Sequence, residues 1–527
     1  MKIKKFRILK SQTITEAAVI ITIITFLSKI FGYAREVLVA KYFGTSAQTD
    51  AFLVAMLIPS MVLGLFSGGI QTVVIREYAE KKSINLPEAK ILVNQIFFIF
   101  SVVLAVVSIF LVLFSEFFIK IVAFGFSGER LVLASNFMKF LTPYGFMMVL
   151  SGLFIGLFQI ERQFLYPAFI GLISNIFVPL SLILLSPFMG IDSWVVGQNL
   201  FGLLHFFPMF FILRYRWNFF DIFELNKIRW NEISEFVCLM LPIIVVSGIG
   251  IIYQIVDKMI ASFLPAGSIS ALNFAQRVFL IPYGILASSI SVSVYPSFST
   301  YAVKEDNGNY LHLFEKSLFS LAYTMIPISV LFVMFSHTIV QLLFERGVFG
   351  VSATNLTAGC VAMYSAGLFA LSLNSIFHNA FFSFKDTKTP MYISLVTAGI
   401  NMVLDILLAR LWGVVGIALA TTIVTFTALL FYIISFKKKH YVSGISSRQI
   451  YGEFLKIIFA SVVIGVLSFI WKEFIPQRAG FLVILFRFGI VVVFMGVIYL
   501  VLTGLLRSLG FNLAKEYFQK FFKSIKL

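Results

Sequence analysis

Three ionisable side chains sit inside a stretch otherwise apolar enough to lie in a bilayer: Thr25-Phe26-Leu27-Ser28-Lys29-Ile30-Phe31-Gly32-Tyr33-Ala34-Arg35-Glu36-Val37-Leu38-Val39-Ala40. A charge at bilayer depth costs at least ~3 kcal/mol, so Lys29, Arg35 and Glu36 are expected to face a watery cavity rather than lipid. A cavity lined by cations suits an anionic cargo, and arginine gives charge-assisted, two-pronged hydrogen bonds to anionic oxygens. A second set carries oxygen. Asp257 falls in another apolar stretch, Asn401 and Asp405 are spaced i, i+4 on one helix face, and Thr421 follows on the next segment. Carboxylate, amide and hydroxyl oxygens converging in a low-dielectric core are what a hard cation needs in place of water. Plainer readings stay open. Arg35 paired with Glu36 or Asp50 would be structural glue, while Asp257 with Lys258 and Asp405 with Arg410 would be bridges at poor helical angles.

The elements that must carry these groups are membrane spans. The 527 residues are 60% hydrophobic and 12% charged, with a mean hydropathy of +0.98, far outside the range of soluble globular domains. Runs of roughly 20 apolar residues separated by charges give about fourteen spans. They include 15–42, 234–261, 317–343, 354–384, 389–410 and 412–436. No soluble domain fits between them. The 63 Phe suit lipid-facing and packing surfaces, and the net charge of +17 suits basic loops beside anionic lipid better than one nucleic-acid-binding domain. Cys238 and Cys360 lie in apolar segments without metal-type spacing and are expected to pack. His312, His337 and His378 are isolated and are expected in loops or packing. No Gly-x-x-x-x-Gly-Lys motif is present, so ATP hydrolysis by the chain is not expected.

Alternate connections differ in Lys and Arg content. One side receives the basic N-terminus, Arg76 with Lys81, Lys82 and Lys90, then Arg214 to Arg229, Lys385 with Lys388, Lys437 to Lys439, and the tail. That side is expected to be cytoplasmic, with both termini on it and an even number of spans. The N-terminus, lacking a cleavage site, reads as retained, and the tail from Phe511 reads as an interfacial helix. The halves also repeat. Leu57-Ile58-Pro59 overlays Leu280-Ile281-Pro282, and Leu165-Tyr166-Pro167 overlays Lys388-Thr389-Pro390, a shift of roughly 223 residues. The expected fold is an all-α polytopic membrane protein: a six-helix lobe over 1–230, a pseudo-symmetric six-helix lobe over 231–440, and two further helices with a basic amphipathic tail over 441–527. Two lobes around a central cavity suit alternating access.

Ser28-Lys29-Ile30-Phe31-Gly32-Tyr33-Ala34-Arg35-Glu36, then Phe43-Gly44 and Thr49-Asp50-Ala51-Phe52, resembles the first-helix signature of the MurJ/MviN lipid II flippases, of the multidrug/oligosaccharidyl-lipid/polysaccharide exporter superfamily. Ala271 to Arg277, Phe344-Glu345-Arg346-Gly347-Val348-Phe349 and Asp386-Thr387-Lys388-Thr389-Pro390 resemble later segments of that family in the same order. The resemblance implies cavity cations at Lys29, Arg35 and Arg277 and cavity acids at Glu36 and Asp50. It also implies a sodium site at Asp257, Asn401, Asp405 and Thr421, completed by the Ile417 carbonyl. Three positions depart from the pattern: Gly64 where the family has an arginine, and Gln276 and Leu280 where acids are expected. Lys29 replaces an arginine and lacks its planar fork.

The expectation is therefore a flippase, not an enzyme, of the bacterial cytoplasmic membrane. It would carry a polyprenyl-pyrophosphate-linked sugar, lipid II for peptidoglycan synthesis, from the inner to the outer leaflet, with Arg35 and Arg277 clamping the pyrophosphate. Sodium or the membrane potential would reset the cycle, with no other cofactor. Membrane lipids and cell-wall synthesis enzymes are the expected partners, and no nucleic acid. Rivals are a flippase for another lipid-linked oligosaccharide, favoured by Gly64 and Leu280, and a drug/cation antiporter, disfavoured by the basic first helix. A sugar-polymerising enzyme would need a large external loop that the chain lacks.

Overall fold

With no water in a bilayer core to satisfy backbone N–H and C=O groups, an apolar run must pair them within its own segment, and every span here is accordingly helical. The structure is a computed structural model describing residues 14–220, 228–439, 447–476, 479–513, 515, 516 and 519. The basic N-terminal residues and most of the tail beyond Phe511 lie outside the described residues.

The chain separates by contacts into two compact units, Met1–Phe263 and Leu264–Leu527. The first unit holds α1 (Ile14–Phe43), α2 (Ala47–Ile84), α3 (Leu86–Leu113), α4 (Ser115–Val122), α5 (Gly128–Ile160), α6 (Leu165–Met189), α7 (Asp192–Trp217) and α8 (Trp230–Ala261). α2 and α5 approach closely where small residues permit it. Gly145, Gly152 and Gly156 of α5 lie against Pro59, Ser67 and Gln71 of α2, and a Cβ on Gly152 would come within 2.4 Å of the Ser67 Oγ. Such contact gives van der Waals attraction that lipid-facing leucines do not. α1 lies along α6, where Asn175 Nδ2 donates to Ser28 Oγ at 2.7 Å.

α8 is tied to this first unit at both ends. Lys81 meets Glu232 at 2.9 Å near its start. Near its end Lys258 Nζ donates to the Leu53 carbonyl at 3.0 Å, and Ser262 Oγ accepts from the Gly125 amide at 2.9 Å. The contact boundary follows these bonds, whereas the repeat boundary at 230/231 follows sequence similarity, and the two need not coincide.

The second unit holds α9 (Ser268–Pro282), a π-helical stretch Tyr283–Ala287, α10 (Ser288–Val303), α11 (Asn307–Met334), α12 (Ser336–Phe344), α13 (Val351–Ala366), α14 (Leu368–Ser383), α15 (Lys388–Lys438), α16 (Ser447–Trp471) and α17 (Phe481–Leu505). α16 packs on α11, and α17 is joined to α11 by Tyr499 donating to the Tyr323 carbonyl at 2.8 Å. Buried Glu453 accepts from the Leu509 amide at 2.7 Å and from Ser508 Oγ at 3.0 Å, fastening the turn after α17.

Backbone irregularities repeat between the units. Phe114 (φ −104, ψ 25) breaks α3 from α4 as Phe335 (φ −106, ψ 18) breaks α11 from α12. Gly190 (φ 55, ψ −134) turns α6 into α7 as Gly413 (φ 59, ψ −139) turns the first half of α15 into its second. A side chain is strained in that region, so glycine recurs there. Both correspondences fall near the shift that aligns the Ile-Pro pairs.

Among the described residues, ten helices are long and apolar enough to cross a membrane, and the pair α13–α14, bent by 44°, makes an eleventh. α15 reverses at Trp412–Gly413, and α1 and α8, of 30 and 32 residues, have spanning length as well. Some details differ from the sequence reading. The span expected over 317–343 lies earlier, because α11 runs Asn307–Met334 and the chain restarts as the short α12. Cys360 is buried but Cys238 is exposed, so only the former packs within its unit.

Candidate functional site

α1 carries the whole charged stretch in one continuous helix. Glu36 is buried and Arg35 Nη2 meets its Oε1 at 2.8 Å, so the pairing within α1 is realised. The guanidinium is not used up by this contact. Its Nε is buried and has no hydrogen-bond partner among the described residues. A guanidinium presents five donors, so an anion can still be gripped while Glu36 holds the group in place. Lys29 lies two turns earlier and is exposed, next to the Ser28–Asn175 bond.

Asp50 is placed differently. It is buried in the first turn of α2, after the N-cap Ser46, whose Oγ accepts from the Thr49 amide at 3.2 Å. A carboxylate there meets the positive end of the helix, so its burial has a local reason beside any cavity role. Asp257 is buried near the end of α8, one residue before the Lys258 that bonds to Leu53.

In the second unit Arg277 is exposed on α9, and so is Leu280 one turn on. Gln276, where the family writes an acid, donates through Nε2 to the Tyr364 hydroxyl of α13 at 3.2 Å, and Tyr364 stacks on Phe279 with centroids 5.2 Å apart. A neutral amide thus serves as a packing bond at that position.

The turn at Trp412–Gly413 reverses α15 between Asp405 and Thr421. Because the helix doubles back there, Gly416 lies against the Leu408 carbonyl, and a Cβ on it would come within 2.0 Å of that oxygen. Asp405 lies three residues before this crossing and Thr421 five after, so at 1.5 Å rise per residue both are within about 8 Å of it along the helices. Asp405 is fully buried and accepts a short hydrogen bond from Asn401 Nδ2. Thr421 Oγ1 donates to the Ile417 carbonyl at 3.2 Å, which leaves the hydroxyl lone pairs available. A carboxylate held ionised at this depth would call for a cation. These donors are all hard oxygens, which fits sodium. Among the described residues no three His, Cys, Asp or Glu side chains form a metal-holding group. Asn401, Asp405, Ile417 and Thr421 belong to the second unit and Asp257 to the first.

Among the polar contacts that escaped the sequence reading are Asn175 with Ser28, and Asn374 of α14, whose Nδ2 donates to the Thr425 carbonyl at 3.1 Å. The available signal was an asparagine inside an apolar run. His378, expected as an isolated packing residue, bonds the Tyr432 hydroxyl at 2.5 Å.

A sequence-family model described as "Lipid II flippase MurJ" matches residues 39–503. A Buchnera aphidicola protein named "Probable lipid II flippase MurJ" is 27% identical over 483 residues, covering 88% of this chain and 91% of that one. A Thermosipho africanus protein named "Lipid II flippase MurJ" is 26% identical over 428 residues, covering 81% and 86%. A solved structure titled "Lipid II flippase MurJ, inward closed conformation" superposes with a TM-score of 0.77 at 25% identity, covering 92% of this chain and 98% of that one. An inward-facing transporter of the multidrug MATE family matches with a TM-score of 0.62 at 11% identity, over 79% and 96%, a likeness of fold alone.

Proposed function

The chain belongs to the lipid II flippase MurJ family, and on that footing we propose that it moves lipid II from the inner to the outer leaflet of the bacterial cytoplasmic membrane. The observation that carries the reading is Arg35, a shielded arginine at span depth in α1 that is oriented by Glu36 and keeps donors to spare. The pyrophosphate offers adjacent anionic oxygens, and Arg35, Arg277 and exposed Lys29 are the groups that take it while the polyprenyl tail stays in lipid. Asp50 and Glu36 set the local field. Sodium held by Asn401, Asp405, Thr421 and the Ile417 carbonyl, with Asp257 retained on the family resemblance, biases the equilibrium by binding one conformation more tightly. Coupling to membrane potential alone is the competing source of drive. Both termini are cytoplasmic in this scheme.

Gly64 and Leu280 favour a second cargo, another lipid-linked oligosaccharide, because they leave fewer charges for the headgroup. The deciding experiment is expression in a strain depleted of its own lipid II flippase, reading lipid II headgroup accessible on the outer leaflet. Restored accessibility and growth are expected. Failure at matched membrane expression, together with transport of another lipid-linked sugar, overturns the lipid II reading.

A further inference from the structure

We infer that Asn374 is a positioning residue for the cation site, an inference that rests on the reading of Asn401, Asp405, Ile417 and Thr421 as cation ligands. Three hydrogen bonds run in series from α14 to that site. Asn374 Nδ2 donates to the Thr425 carbonyl at 3.1 Å, Thr425 Oγ1 donates to the Thr421 carbonyl at 2.7 Å, and Thr421 Oγ1 donates to the Ile417 carbonyl at 3.2 Å. The last two residues named are the two ligands on the second half of α15. Rotation of that half-helix about its axis decides where the Thr421 hydroxyl points, and successive residues differ by about 100°. A bond from a neighbouring helix close to Thr421 is therefore a direct control on ligand direction.

Packing is a poor account of Asn374. The residue is only 9% exposed, and its Oδ1 is buried with no hydrogen-bond partner among the described residues. A half-satisfied buried amide is costly, and an aliphatic side chain of similar shape would fill the space without that cost. What the amide supplies is the donor to Thr425. One turn along α14, His378 bonds Tyr432 of the same half-helix, and Thr422 Oγ1 donates to the Met363 carbonyl of α13 at 2.6 Å. These bonds hold the half-helix too, and the Asn374 bond is the one that continues through the Thr425 and Thr421 hydroxyls to the Ile417 carbonyl. Outer-shell partners of this kind typically cost 10–100-fold in metal affinity when removed.

The test measures melting temperature of the purified full-length protein against sodium chloride, with choline chloride keeping ionic strength constant. Asn374→Leu is expected to raise the sodium concentration for half-maximal stabilisation by about tenfold. Its melting temperature in choline alone should stay near that of wild type. Thr425→Val, which cuts the next bond in the series without changing side-chain shape, should shift the midpoint in the same direction and keeps the test open if Asn374→Leu fails to fold. His378→Phe should lower the melting temperature and leave the sodium midpoint in place. A sodium response in wild type with an unchanged midpoint in Asn374→Leu, or in Thr425→Val should the first variant not fold, overturns the positioning role alone. No sodium response in wild type overturns the cation site itself.

Discussion

Asp386 and Lys439 flank the 51-residue helical stretch α15 at opposite ends, yet Lys439 Nζ lies 2.5 Å from Asp386 Oδ2. The same carboxylate caps the start of α15 by accepting from the Thr389 amide at 3.1 Å. One residue thus both starts the first half of α15 and receives the end of the second. The helix must reverse between them, and the reversal at Gly413 brings Asp405 and Thr421 to neighbouring depths.

The reversal makes a stability prediction. Gly416→Ala places a methyl against the Leu408 carbonyl, and Gly413→Ala strains a backbone with φ 59. Each should cost about 1–3 kcal/mol, read as a lower melting temperature of purified protein. Gly399→Ala, where a Cβ meets nothing within 4 Å, should be neutral or slightly stabilising. Equal melting temperatures for all three would contradict the close crossing.

Removing a cation ligand should remove a response to the cation. Wild type is expected to melt higher as sodium replaces choline, since a ligand that binds only the folded state stabilises it. Asp405→Ala should abolish the shift. An unaltered shift in Asp405→Ala would take Asp405 out of the site.

The cargo reading turns on the arginines. Losing one charge-assisted contact to a desolvated anion costs ~2–5 kcal/mol, a fall on the order of 30-fold or more in transport for Arg35→Ala or Arg277→Ala. Arg277→Lys should retain more, because it keeps charge but loses the fork. Glu36→Gln should reduce transport less than Arg35→Ala, since it frees the guanidinium without deleting it. Lys29→Arg should be tolerated or faster. The readout is outer-leaflet headgroup in cells at matched expression. Full transport by an Arg35→Ala, Arg277→Ala double variant would return both residues to structural glue.

Orientation can be read with thiol labelling. After Cys238 and Cys360 are replaced, single cysteines at Lys439 and Arg162 should react only from the cytoplasmic side. A cysteine at Asp192 should react only from the outside. The reverse pattern would invert the proposed topology.

The all-helical, many-span fold was legible in the sequence because a bilayer imposes rules that act residue by residue. About twenty apolar residues cross it, charge is expelled to one face, and a helix must satisfy its own backbone. The anomalous Lys29, Arg35 and Glu36 were visible for the same reason, as violations of a local rule. What a side chain touches depends instead on the rotation and closeness of helices distant in sequence. Only the tertiary structure decided that Lys258 bonds to Leu53, that Asn175 reaches Ser28, and that Asn374 reaches Thr425. It likewise decided that α8, which opens the second sequence repeat, packs with the first unit. Its place there rests on Phe236 and Met240 in the first unit's core together with the end contacts of Glu232, Lys258 and Ser262, which no spacing rule encodes.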